Sequence, residues 1–122
     1  MERSCSEFIG LLIATSGEVE KAYKEVIEEW SPEEPPITTL FACLGDRIVE
    51  CLRSTDAEIN RRLFELIEQA MDSGTELLKT AVATGLIESL VTQAWKDSVL
   101  LKEILILMGP RSRKYAEAWL AA

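Results

Sequence analysis

The chain has 122 residues, 48% of them hydrophobic and 28% charged, with a formal net charge of −8 and no histidine. That ordinary globular mixture excludes a disordered chain, and its length suffices for one domain over residues 1–122 that buries roughly two-thirds of its unfolded surface. Residues 1–36 hold nine carboxylates and three basic residues, a balance of −6, against twelve and ten over residues 37–122, a balance of −2, so the field opposes nucleic acid and anionic membranes and favours a basic partner.

Apolar residues recur at spacings of three and four throughout, and no segment alternates apolar and polar residues between turns, which predicts an all-α chain. A first helix is expected over Ser4 to Ala14. A second starts after Ser16 with Val19, Ala22, Tyr23, Val26, Ile27 and Trp30 on one stripe and Glu18, Glu25, Glu28 and Glu29 away from it. It must stop at Ser-Pro-Glu-Glu-Pro-Pro, residues 31–36, where three prolines cannot continue it.

A third helix is predicted from Thr38 or Thr39, as N-cap, to Arg53, with Leu40, Leu44, Ile48, Cys51 and Leu52 facing inward. Thr55-Asp-Ala-Glu58 has the form of a capping box and opens a fourth, which buries Ile59, Leu63, Phe64, Ile67 and Met71. A second box, Ser73-Gly-Thr-Glu76, starts a fifth with Leu77, Leu78, Ala81 and Val82, expected to bend or restart at Gly85. The short connection makes the fourth and fifth helices antiparallel neighbours, a pair the size of one HEAT-like repeat.

Asp97 or Ser98 caps a sixth helix through Met108. Gly109 and Pro110, as C′ glycine and N1 proline, end it and begin the last, which carries Tyr115, Ala118 and Trp119. The sum is a compact bundle of about seven short helices with HEAT-like antiparallel pairs.

Cys43 and Cys51 stand eight residues apart on one predicted helix, so at about 1.5 Å per residue their Cα atoms lie roughly 12 Å apart, beyond the disulfide limit of about 7 Å. Reduced cysteines buried as small core hydrophobes, and a cytoplasmic location, are expected. No stretch approaches the roughly 20 apolar residues of a membrane span.

The lack of histidine removes the commonest general base, the usual partner of a Ser or Cys nucleophile and the commonest transition-metal ligand. There is no Cys-x-x-Cys, glycine-rich phosphate loop or EF-hand loop, and adjacent carboxylates such as Glu28 with Glu29, or Glu33 with Glu34, point apart. No enzyme, cofactor or metal site is expected. Protein binding remains, and Trp30, Trp95 and Trp119 are residues of the kind enriched in binding hot spots. Trp119 is expected to pack in the core, while Trp95, set among polar residues between helices, is expected to be exposed.

Two segments, Thr80-Ala-Val-Ala-Thr-Gly-Leu-Ile-Glu-Ser-Leu90 and Met108-Gly-Pro-Arg-Ser-Arg-Lys-Tyr-Ala-Glu-Ala-Trp119, resemble a family of small bacterial all-α proteins of unknown function encoded in polymorphic and contact-dependent toxin loci, whose setting marks them as immunity proteins. The resemblance covers residues 55–120 and stops short of residue 40. It implies structural roles for Gly85, Gly109, Pro110, Tyr115 and Trp119, and a partner that is a cognate toxin, basic if it is a nuclease. On that reading the contact region is Glu25, Glu28, Glu29, Trp30, Glu33 and Glu34, with Trp95 as a further anchor. The alternative is a helical adaptor with another protein partner.

Overall fold

The computed structural model describes residues 2–122. Its helices are α1 (Cys5–Thr15), α2 (Gly17–Trp30), α3 (Ile37–Glu50), α4 (Ala57–Ser73), α5 (Glu76–Ala81), α6 (Glu88–Ala94), α7 (Ser98–Leu107) and α8 (Pro110–Ala121). A π-helical turn over Val82–Ile87 joins α5 to α6 without a break, so residues 76–94 form one rod. Among the described residues the one β pairing is an isolated bridge between Arg3 and Gly74. The protein is a compact all-α bundle.

The central rod organises the core. Leu78, Val82, Leu86, Ile87, Leu90 and Val91 are all but inaccessible to solvent. α3 packs most extensively on the π-helical turn, and then equally on α2 and α6, and α4 and α8 also touch this rod. Two glycines permit the close approach of α3. A Cβ on Gly85 would stand 2.8 Å from the carbonyl oxygen of Thr38, and one on Gly45 would stand 2.9 Å from that of Leu86. The helix does not restart at Gly85 but runs through it as a π turn. The glycine lets a neighbouring backbone in, while the extra residue of the π turn is absorbed within the rod.

α1 begins with a reciprocal capping box between Ser4 and Glu7, and α2 with Ser16, whose hydroxyl accepts from the Val19 N–H at 3.2 Å. Phe8 of α1 meets Phe41 of α3 with ring centroids 5.6 Å apart. The proline segment ends α2 as expected, but α3 starts at Ile37 with Pro36 as N-cap and no side-chain cap, leaving Thr38 and Thr39 inside its first turn.

Three further expectations are corrected. Asp56, not Thr55, caps α4, its carboxylate accepting from the N–H groups of Glu58 and Ile59 at 2.9 and 3.3 Å. Ser73 closes α4, and Thr75 caps α5 by accepting from the Leu78 N–H at 3.2 Å. In both cases two polar residues compete, and the one whose extended backbone immediately precedes the helix wins. α3 ends at Glu50 rather than Arg53, and a 3₁₀ turn, Leu52–Ser54, follows. The buried Asn60 amide donates to the Leu52 carbonyl at 2.8 Å and satisfies it outside a helix.

Burial departs from the expected pattern at a few positions. Leu77 is 64% exposed and Trp119 39%. α8 turns the smaller Ser112 and Ala116 inward instead. Ile59, Met71 and all three cysteines are half-buried. Gly109 has φ −74° and is the N-cap of α8, not a left-handed C′ residue. Its lack of a side chain makes room for Glu68, whose Cγ would lie 2.4 Å from an added Cβ.

Candidate functional site

α2 buries Val19, Ala22 and Val26 against its neighbours and turns its carboxylates outward. Two of these, Glu18 and Glu25, are engaged within the fold. The Arg47 guanidinium of α3 pairs with Glu25, reaches Glu18 at 3.6 Å and approaches Glu50 at 3.9 Å. Glu18 also accepts from the Cys51 thiol at 3.5 Å. Glu25 therefore serves the α2–α3 junction, and of the acidic residues singled out from the sequence it is the least available to a partner.

Glu28, Glu29, Glu33 and Glu34 are exposed, and among the described residues no ion pair reaches any of them. Trp30 ends α2 amid these four, 37% exposed. Its carbonyl accepts from the Glu33 N–H at 2.9 Å, which closes a turn directly after the helix. Glu28 and Glu29 thus lie in the last turn of α2, where unsatisfied carbonyls carry the negative end of the helix dipole, and no basic residue shares that turn. The arrangement concentrates negative charge where the backbone already supplies some.

Trp95 belongs to a different feature. It is 58% exposed between α6 and α7, and with Trp119 it flanks a groove of about 770 Å³. Thr92, Gln93, Lys96 and Leu120 complete most of the lining, and none of the acidic residues named above contributes. The structure therefore gathers Glu28, Glu29, Trp30, Glu33 and Glu34 at one helix end and assigns Trp95 to a groove at the ends of α6 and α8. Sequence reasoning missed that groove, because no spacing rule brings the ends of two distant helices together.

The cysteines are free thiols. Burial pushes the Cys43 and Cys51 thiols above the usual range; the Asp46 and Glu29 charges add to this at Cys43, and the Glu18 hydrogen bond adds at Cys51. Both are held protonated, the opposite of an activated nucleophile. Among the described residues no group of three or more Cys, Asp or Glu side chains is placed to hold a metal ion, and no helix is long and apolar enough to cross a membrane.

The chain belongs to the family described as a domain of unknown function, DUF7674, whose model matches residues 9–121. The matched span includes residues 25–34, so the acidic helix end is part of the family's domain and not an addition to it. No curated protein and no solved structure matches the chain.

Proposed function

We propose that this member of the DUF7674 family binds and neutralises a cognate bacterial toxin by direct contact, meeting a basic surface with the carboxylates at the end of α2. The observation that carries the reading is the position of Glu28 and Glu29 in the last turn of that helix, with Glu33 and Glu34 next in the chain and, among the described residues, no ion pair to any of the four. Such a placement works against the free protein and is relieved when a basic surface docks on it. Trp30 supplies an amphipathic ring of the type that anchors interfaces. The likeness of residues 80–90 and 108–119 to proteins encoded in toxin loci supplies the partner class.

The test is binding to the product of the neighbouring gene, expected on this reading to be the toxin. Glu28→Lys with Glu29→Lys should slow association and flatten its salt dependence, whereas Trp30→Ala should speed dissociation and cost about 2 kcal/mol or more. Unchanged affinity and salt dependence in the charge-reversed protein would defeat this reading. A helical adaptor is the second reading, and the Trp95–Trp119 groove favours it. Loss of binding in Trp95→Ala alone, with the acidic variants unaffected, would select it.

A further inference from the structure

α7 is covered less than its composition demands. Seven of its ten residues are aliphatic, yet only Ile104 is buried. A helix apolar around most of its circumference normally lies inside a protein. Here Val99 and Ile106, seven residues apart and so on one face, are 59% and 74% exposed. Lys102 is exposed between them, and no ion pair reaches it among the described residues.

The order of residues along α7 identifies what covers it. The stretch Val99-Leu-Leu-Lys-Glu-Ile-Leu-Ile106 has three aliphatic residues, a cation, an anion and three aliphatic residues. A two-fold axis beside the helix and perpendicular to it, level with the point between Lys102 and Glu103, maps each half onto the other with opposite charge. Two copies laid antiparallel about that axis set Val99 against the second copy's Ile106, and Lys102 against the second copy's Glu103, each twice over. Self-complementarity of this kind is what an isologous interface requires, and antiparallel helices pack readily at about 20°. Glu103 is 42% exposed at its side chain and reaches Arg53 at 3.5 Å, so it can accept a second cation without leaving the first.

We propose that α7 is a homodimer interface in which two copies pair antiparallel through Val99, Lys102, Glu103 and Ile106. The surface is independent of the acidic end of α2. A single helix pair lies at the small end of interface sizes, so a dissociation constant on the order of 10 µM is expected.

Sedimentation of the full chain across concentrations should show a reversible monomer–dimer equilibrium. Lys102→Glu and Glu103→Lys, each placing like charges opposite one another twice, should each weaken it roughly tenfold, and the double variant should return to within a few-fold of the parent. Only pairing of α7 with a second α7 predicts that rescue. Ile106→Glu should abolish dimerisation while Leu77→Glu, at an equally exposed leucine on α5, should leave it unchanged, so the test survives if Glu103→Lys disturbs Arg53 and the fold. A monomer at every concentration, a double variant no better than the singles, or equal loss in Leu77→Glu would overturn the proposal.

Discussion

Glu68 on α4 accepts two hydrogen bonds from Ser112 at the start of α8, one from its backbone N–H and one from its hydroxyl, both at 2.9 Å. It also accepts from the Arg111 N–H at 3.0 Å. A carboxylate 44 positions upstream thus does for α8 what an N-cap side chain does for other helices, and Gly109, with no side chain to offer, stands where that cap would have been.

The two residues should therefore be coupled. Glu68→Ala should cost about 1–2 kcal/mol by leaving the first N–H groups of α8 unpaired. Gly109→Ala should cost a similar amount, because its Cβ displaces Glu68 from the cap. In the Glu68→Ala background, Gly109→Ala should cost only about a few tenths of a kcal/mol. Denaturant unfolding of the four proteins measures this, and additive losses would show that Gly109 matters for another reason.

Glycines at two other positions should respond with opposite signs. Gly85→Ala sets a Cβ 2.8 Å from a backbone carbonyl that cannot rotate away, and should cost about 1–3 kcal/mol. Gly10, exposed inside α1 with nothing within 4 Å of an added Cβ, should gain about 0.5–1 kcal/mol as alanine. Thermal unfolding of the pair checks both.

These positions also show what the sequence made legible. The stripes of α2, α3 and α4 follow from spacing, since a period of 3.6 determines which side chains share a face. Spacing does not say which neighbour a face meets. The capping box at Thr55 gives way to Asp56 one position on, the stronger N-cap residue of the two, which the Thr-x-x-Glu pattern obscures. Tryptophan commonly packs between helices, which places Trp119 in the core on sequence alone, yet Ser112 and Ala116 are the buried residues of α8. The exposed carboxylates at the end of α2 were legible as a cluster. The engagement of Glu25 by Arg47, 22 residues away, depends on tertiary packing and was not.

Tyr115 should give alkaline pH dependence. Its hydroxyl donates to Glu88 at 2.6 Å, and that hydrogen bond, with burial, pushes its pKa up to about 12 from an ordinary 10. The neutral phenol is the form the fold favours, so this contribution is complete below pH 10 and is lost as pH rises toward about 12. Tyr115→Phe should lower stability at neutral pH and flatten its decline across that window. Ultraviolet titration of the native protein should show one phenolate forming late; a late phenolate that persists in Tyr115→Phe would place the shift elsewhere.

Cys51 should label slowly with a thiol reagent rather than not at all, since it is half-buried and burial raises its pKa ahead of the Glu18 hydrogen bond. The thiolate is the reacting species, so the rate should keep rising at pH values where an ordinary thiol has levelled off. Glu18→Gln should raise the rate modestly. A rate independent of Glu18 would mean that access alone controls the reaction.

The end of α2 should show stability and binding moving in opposite directions. Glu28 and Glu29 add negative charge to the turn in which the helix dipole is already negative, and the exposed Glu33 and Glu34 follow directly in the chain. Replacing both with lysine reverses the charge in that turn, so Glu28→Lys with Glu29→Lys should raise the melting temperature of the free protein, most at low ionic strength, where exposed charges are least screened. The same substitutions should slow capture of a basic toxin. Glu25→Gln serves as the contrasting variant, because it removes the ion pair with a half-buried Arg47 and should lower the melting temperature while leaving the charges beside Trp30 in place. A surface kept acidic for solubility alone would show the gain in stability without a binding defect. A structural cluster would show a loss of stability in both variants. Only a surface held ready for a basic partner couples greater stability of the free protein to slower association.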